Sequence, residues 1–304
     1  MSARRSSPLR RERGTAVIMA MLIVAAVATL VSGALWRQGA LLREAENELA
    51  YAQARWLIRG AIDWAGVILR EDARTSSVDH RGEPWSVPLA DTRLNENDGR
   101  PAAYLAGEIQ DEQSKFNLRN LATAQGINPR ELQALRRLLE ALSLEESPAE
   151  AIAQRMLAAL KSYGANQPAL GLASVEELIE VEGLDAADKA RLRPFVTVLP
   201  EITPVNANTA AAEVLASQLA GLQLIDARRL VSGRERAYFR DAADLRSRLA
   251  QVGVAAATDL PLAVSTRYFS VEGAVSYGAA QLRARALVRR DAARLETVWL
   301  QELG

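Results

Sequence analysis

The sequence predicts an α+β fold: one very long N-terminal helix packed on a small antiparallel sheet, with a large α-helical block inserted between the strands. Three observations carry that expectation. No charged side chain occurs from Thr15 to Trp36 and no proline between Pro8 and Pro84, so apolar and then amphipathic sequence runs on without a helix breaker. The middle of the chain consists of short leucine-rich helical patterns with capping residues. The chain closes on TRYFSVEGAVSY, QLRARALVRRD and RLETVWLQEL, which alternate apolar and polar residues and are separated by turn signals at Tyr277–Gly278 and Arg290–Asp291.

Residues 1–14 are a basic leader holding Arg4, Arg5, Arg10, Arg11 and Arg13 against Glu12 alone. Residues 15–36 are long enough, at about 33 Å as helix, to cross a ~30 Å hydrocarbon core, and too long for the ~7–15-residue core of an exported signal peptide. The arginines hold the leader on the cytoplasmic side and direct everything after Trp36 outward. Trp36 stands where an interfacial anchor belongs. The helix is expected to continue to about Arg70, with Leu42, Ala45, Leu49, Ala52 and Trp56, then Leu57, Ala61, Trp64 and Ile68, at three- and four-residue steps. Trp56 and Trp64 are the side chains expected to meet the sheet.

Residues 37–110 thus hold the outer half of the helix, a polar loop (SSVDHRGEPWSVPLADTRLNENDGRP) and a first strand at 104–110. Residues 111–200 read as an inserted helical domain. ELQALRRLLEALSL and PAEAIAQRMLAALKSYG are amphipathic helices; SVEELIEVEGL and DAADKARLRPF are shorter ones joined at Gly183 and capped by Ser174 and Asp185. Residues 201–262 form a second helical segment, its first helix expected to be capped near Asn208, and 263–304 return to the sheet as three strands of a meander.

Composition narrows the function. Basic and acidic residues balance at 37 each, and without the leader 32 basic face 36 acidic, a net of about −4, which is not the surplus of a nucleic-acid binder. There is no cysteine, hence no disulfide, thiolate nucleophile or cysteine metal site. The single histidine, His80, reads as a surface-loop residue, so triad and histidine-zinc chemistry have little to build on. Asp111 and Glu112 are the nearest thing to a catalytic carboxylate pair, yet no nucleophile or further ligand accompanies them; structural hydrogen bonds between strand and helix are the better expectation.

RERG before the apolar run, ARW at 54–56, EPW at 83–85, GEIQDEQSKFNL at 107–118, SVEELIEVEGL, VTVLPEITPVNANTAAAEVL at 196–215 and the closing VWLQEL together resemble the minor pseudopilin K family of type II secretion (general secretion pathway protein K). The resemblance covers essentially the whole chain. It implies a type IV pilin-like fold carrying a SAM-like helical insertion, a non-catalytic role, and cleavage by a prepilin peptidase between Gly14 and Thr15 followed by N-methylation of Thr15. It implies as partners the minor pseudopilins I and J, at the tip of a periplasmic pseudopilus held in the inner membrane of a Gram-negative bacterium. There the tip would start or cap assembly and engage exoproteins or the secretin. Pilin-like chains commonly have glutamate at the fifth mature position; here that position is Met19, as suits a tip subunit with no neighbour ahead to pair with a carboxylate. Some members bind calcium in the head. RLNENDGR offers hard oxygen donors but not the full EF-hand spacing.

One different reading remains, a membrane-anchored helix-hairpin-helix protein that binds nucleic acid. SVEELIEVEGLDAAD and NANTAAAEVLASQLAGLQLIDARRL have the pattern, but the second glycine that would let backbone amides approach phosphate is Asp185 after Gly183 and Gln223 after Gly221.

Overall fold

The computed structural model describes residues 12–95, 101–163, 174–254, 260–291 and 294–303. Helix α1 runs from Glu12 to Thr75 without interruption, five residues beyond Arg70, and at 1.5 Å per residue is about 95 Å long. Its exposed apolar surface from Val17 to Trp36 is continuous. Only the last third is packed: Ala54, Ile58, Ile62, Ala65 and Leu69 recur at four-, four-, three- and four-residue steps and are all buried.

They lie on a five-stranded antiparallel sheet in meander order: β1 (Leu89–Arg93), β2 (Ala103–Asp111), β3 (Tyr268–Tyr277), β4 (Ala280–Asp291) and β5 (Arg294–Leu303). Facing the helix are Phe269, Val271, Ala286 and Val288 towards its end, and Leu105, Val275 and Ala284 nearer the membrane half. Gly273 permits the approach, since a Cβ there would lie 2.7 Å from Ile58 Cδ1. β1 falls within the stretch that reads as loop; its prolines and turn residues hide an edge strand that the partner β2 supplies with hydrogen bonds. The two-residue hairpin between β3 and β4 has Gly278 at φ 59°, as its turn signal predicts.

Trp56 and Trp64 are not in this interface. They are 71% and 52% exposed: Trp56 lies on the side of α1 turned away from the sheet, and Trp64 on its flank, beside the turn leading into β1. Both faces of the helix carry apolar residues at helical spacing, and on the face the sheet takes, Gly273 and the β4 alanines make room for Ile58 and its neighbours.

The chain between β2 and β3 leaves and re-enters at adjacent positions, Asp111 being the register partner of Phe269. It folds as helices α2 (Pro129–Ala141), α3 (Pro148–Tyr163), α4 (Val175–Ile179), α5 (Ala186–Leu192), α6 (Ala212–Gln218), α7 (Leu224–Arg236) and α8 (Ala242–Gln251) around a separate core of Phe116, Leu135, Leu139, Ile152, Leu215 and Phe239. Ser174 and Asp185 form reciprocal capping boxes with Glu177 and Asp188, as their spacing predicts. Asn208 is not a cap: α6 begins after Ala211, and the Asn208 side chain clamps Phe239, accepting from its N–H at 2.8 Å and donating to its carbonyl at 3.0 Å.

Leu69→Ala should cost about 3 kcal/mol, because it empties a fully buried site. Trp56→Ala should change stability by less than about 0.5 kcal/mol. Denaturant unfolding of the detergent-solubilised chain distinguishes the two; equal losses would place Trp56 in the core.

Candidate functional site

What the sequence singles out lies along α1 and at its far end. Gly14, Thr15 and Met19 sit in one unbroken stretch of helix at the start of the apolar segment. Met19 is 68% exposed among neighbours that are equally exposed and apolar. Beyond Trp36 the outward face is largely apolar: Leu42, Leu49, Trp56 and Val67 are exposed, with Ala45, Ala52 and Gly60 between them and the polar Gln53 and Asp63 interrupting the stripe. These residues fall opposite the sheet-facing set on a 3.6-residue helix, so α1 has two apolar faces, of which its own head covers one.

At the membrane-distal end of α1 the insert is joined to the helix and sheet through buried polar groups. Arg290 of β4 donates to Asp72 of α1 at 2.8 Å and to Asp79 in the loop after α1, and its guanidinium lies 4.8 Å over the Phe269 ring. Asp79 also accepts from the Thr266 N–H at 2.7 Å, and its carbonyl accepts from Asn206 of the insert at 3.0 Å. Glu83 accepts from the His80 N–H and from Trp85 Nε1, which fixes the EPW turn. His80 is half-buried and stacked on Tyr238 of the insert with ring centroids 4.0 Å apart. It belongs to this junction and not to a free surface loop.

The neighbouring carboxylates have the structural role expected of them. Asp111 accepts from the Gln113 N–H at 2.7 Å, Asn206 at 2.8 Å and Thr209 at 2.5 Å, tying the end of β2 to the insert. Glu112 accepts from Lys115 and Arg285, each at 2.8 Å, and from Thr197 at 2.7 Å. Asn117 and Asn120 hold the 199–203 backbone, Asn117 accepting from the Leu199 N–H and Asn120 donating to the Thr203 carbonyl. The most specific motifs in the sequence, DEQSKFNL and PVNANTA, are therefore the two halves of one buried hydrogen-bond lock. Arg290 and Asp79 were not legible as part of it, since their partners come from four separated segments.

Burial pushes the Asp111 carboxyl up to about 6, against the donors from Thr209 and Asn206. Asp72 also rises to about 6, through burial and the charge of Glu83, with Arg290 opposing. For Glu112 burial acts upward but is outweighed by the charges of Lys115 and Arg285, which bring it down to about 2.

Asp72, Asp79 and Glu83 bring carboxylate oxygens within 4.8 Å of one another, the one such cluster among the described residues. Arg290 places its charge on two of them, while the buried Glu83 Oε1 has no hydrogen-bond partner; the ion pairs account for Asp72 and Asp79, and no cation is assigned to the cluster. Of RLNENDGR, residues 96–100 lie outside the described residues. The first hairpin is closed to phosphate: Gly183 has φ 91°, but a Cβ there would lie 3.1 Å from Pro148 Cγ, and Asp185 turns its carboxylate to the N-terminus of α5.

A membrane-length apolar helix, a meander sheet on its outer third and a helical insert after the second strand define a pilin-like fold. Two family models, both described as type II secretion system protein K, match residues 114–201 and 205–266. The type II secretion system protein K of Pseudomonas aeruginosa is 30% identical, with 88% of this chain and 86% of that protein covered. The Klebsiella pneumoniae protein of the same name is 30% identical over 92% of this chain and 93% of its own length. A structure of the GspK–GspI–GspJ complex from the type 2 secretion system of enterotoxigenic Escherichia coli has the same fold, with a TM-score of 0.67 at 23% identity over 86% of this chain and 99% of that chain. The chain belongs to the type II secretion system protein K family, and is thus a minor pseudopilin; its N-terminal apolar helix is compatible with an inner-membrane anchor.

The pH dependence of folding should show both kinds of carboxylate. With folded values raised above 3.8, Asp72 and Asp111 carry a penalty when ionised; stability therefore rises as pH falls from about 6 towards 4. Glu112, lowered from 4.5, contributes stability that is complete above about pH 4.5 and is lost as pH falls through about 2, roughly 3 kcal/mol for a shift of that size. Glu112→Gln should weaken the fold at neutral pH and flatten the acid limb between pH 4.5 and 2. An unchanged acid limb in urea titrations would exclude the Glu112 cluster as its source.

Proposed function

We propose that this chain works at the tip of the type II secretion pseudopilus, as a non-catalytic assembly subunit packed with the minor pseudopilins I and J. In this reading residues 1–14 are a leader removed by prepilin peptidase between Gly14 and Thr15, Thr15 is then N-methylated, residues 15–36 span the inner membrane, and the remainder stands in the periplasm. The observation that carries the reading is the outward face of α1, where Leu42, Leu49, Trp56 and Val67 stay exposed beyond the membrane half and away from the protein's own sheet, interrupted by Gln53 and Asp63. A helix that is apolar on two faces outside lipid calls for a second packing partner.

The mechanism is an exchange of surroundings. Lipid covers Thr15–Trp36 until neighbouring helices do, and extraction becomes tolerable when apolar surface passes from acyl chains to side chains, with Leu49 and Trp56 adding burial of about 2 kcal/mol each. Met19 carries no charge that would need a neighbour's amino terminus, which suits the leading subunit. The insert, taken as 111–200 and 201–262, is joined to the far end of α1 and would stand where a further subunit would add. Starting or capping the filament and meeting exoproteins or the secretin follow from that position. The rival nucleic-acid reading has no observation in its favour.

The test is the N-terminal mass of the membrane-extracted protein from cells with and without prepilin peptidase. The expected product begins at methylated Thr15 only when the peptidase is present; an intact Met1 start in both strains would leave a plain anchor and remove the tip model.

A further inference from the structure

We propose that the hollow between α1 and the turn leading into β1 is a socket that seats one large apolar side chain (leucine, methionine or phenylalanine) of the neighbouring minor pseudopilin. The proposal rests on the tip-complex reading above and adds to it a second contact, on the head and not on the outward stripe alone.

The hollow is about 250 Å³. Its walls are Ala61, Trp64 and Ile68 of α1 on one side and Pro84, Val87 and Pro88 on the other. Its floor follows from the strands beneath. Gly107 of β2 and Gly273 of β3 are register partners on the helix-facing side, so no side chain rises from the two middle strands at that point. Neither glycine is free to change: a Cβ on Gly107 would come within 2.9 Å of the Glu272 carbonyl, and one on Gly273 within 2.7 Å of Ile58 Cδ1. Small residues thus let helix and sheet meet on one side, near Ile58, and leave a gap on the other. The flanking acids Glu108 and Glu272 alternate to the opposite face of the sheet, so the hollow offers hydrocarbon and backbone only.

Its mouth is unusual for a surface. Val87 is 70% exposed and Trp64 52%, one on each wall of an apolar cavity. Trp85 beneath them is held rigidly, its Nε1 donating to Glu83 at 2.8 Å and its ring edge-on to Phe269 at 5.2 Å. The walls are therefore preformed, and an entering side chain would not have to order them first. A concave apolar site with a rigid aromatic base is the form that interface anchors fill.

Continuity selects the occupant. Trp64 lies two turns beyond Trp56 and stands at the edge of the outward stripe, and α1 itself supplies half the socket walls. A helix packed along Leu49 and Trp56 at the usual 8–10 Å axial separation brings its own subunit past the mouth. The socket lies some 25 residues beyond Trp36, about 38 Å along the helix, far from where acyl chains would reach it.

The experiment titrates the full-length chain in detergent with the purified complex of minor pseudopilins I and J. Val87→Arg puts a charge on an exposed rim position, and Ala61→Phe plugs the hollow without one; Thr92→Arg, on the exposed part of β1, is the control. Both rim and plug variants should bind at least tenfold more weakly than wild type with unchanged melting temperatures, and the control should bind normally. Wild-type affinity in both variants would overturn the socket while leaving the tip reading intact. Loss of self-association or of vesicle binding, with affinity for I and J unchanged, would also overturn it, assigning the hollow to a second copy or to lipid. Failure of the wild-type chain to bind the I–J complex would remove the tip-complex reading, and the socket with it.

Discussion

A single unbroken helix has to satisfy lipid, a sheet and a partner in turn, and the rest of the molecule is arranged around that constraint. The sheet can cover only a narrow stripe of a cylinder, and it takes Ala54, Ile58, Ile62, Ala65 and Leu69. Everything apolar on the other side of α1 is left for other molecules. The small residues of the sheet matter as much as its hydrophobicity, because the missing Cβ at Gly273 and the short side chain of Ala284 leave the room that Ile58 fills.

The second arrangement is polar. The insert has its own apolar core, but it is joined to the pilin-like part chiefly by Asp79, Asp111, Glu112, Asn206 and Arg290, all buried and nearly all with partners. Such a junction is directional: Asn206 donates at once to Asp79 and Asp111, and Arg290 to Asp72 and Asp79, so the insert is held in one orientation relative to the long helix, where an apolar seam would tolerate sliding. Tyr268, Leu199 and Leu287 add a small apolar contact between the outer sheet face and the insert. For a subunit whose proposed work is to stand at the end of a filament, these buried polar groups fix the orientation of the bulky part.

The parts of this fold that were legible in the sequence are those with local causes. Ser174 and Asp185 announce helix starts because a capping box is set by two residues within a span of four. The β3–β4 hairpin is written in Gly278, and the long helix in its lack of proline and its apolar first half. What was not legible depends on contacts between distant segments. Periodicity finds both apolar faces of α1 but does not say which the sheet will take, and bulk favoured Trp56 and Trp64 wrongly. β1 is invisible without β2 to pair with it. Asn208 looks like a cap until Phe239, thirty residues on, claims both ends of its amide. Arg290 alternates with apolar neighbours like any strand residue, and only the return of the chain past Asp72 and Asp79 makes it the centre of a network.

The natural absence of cysteine allows the two faces of α1 to be tested directly. Single cysteines at Trp56 and at Ile62 would be labelled with a maleimide, first on the isolated chain and then with the minor pseudopilins I and J bound. The two-faced helix predicts rapid labelling at 56 and none at 62 in the isolated chain, with position 56 becoming protected in the complex. Protection at 56 in the isolated chain, or equal labelling at 56 with and without the partners, would contradict it.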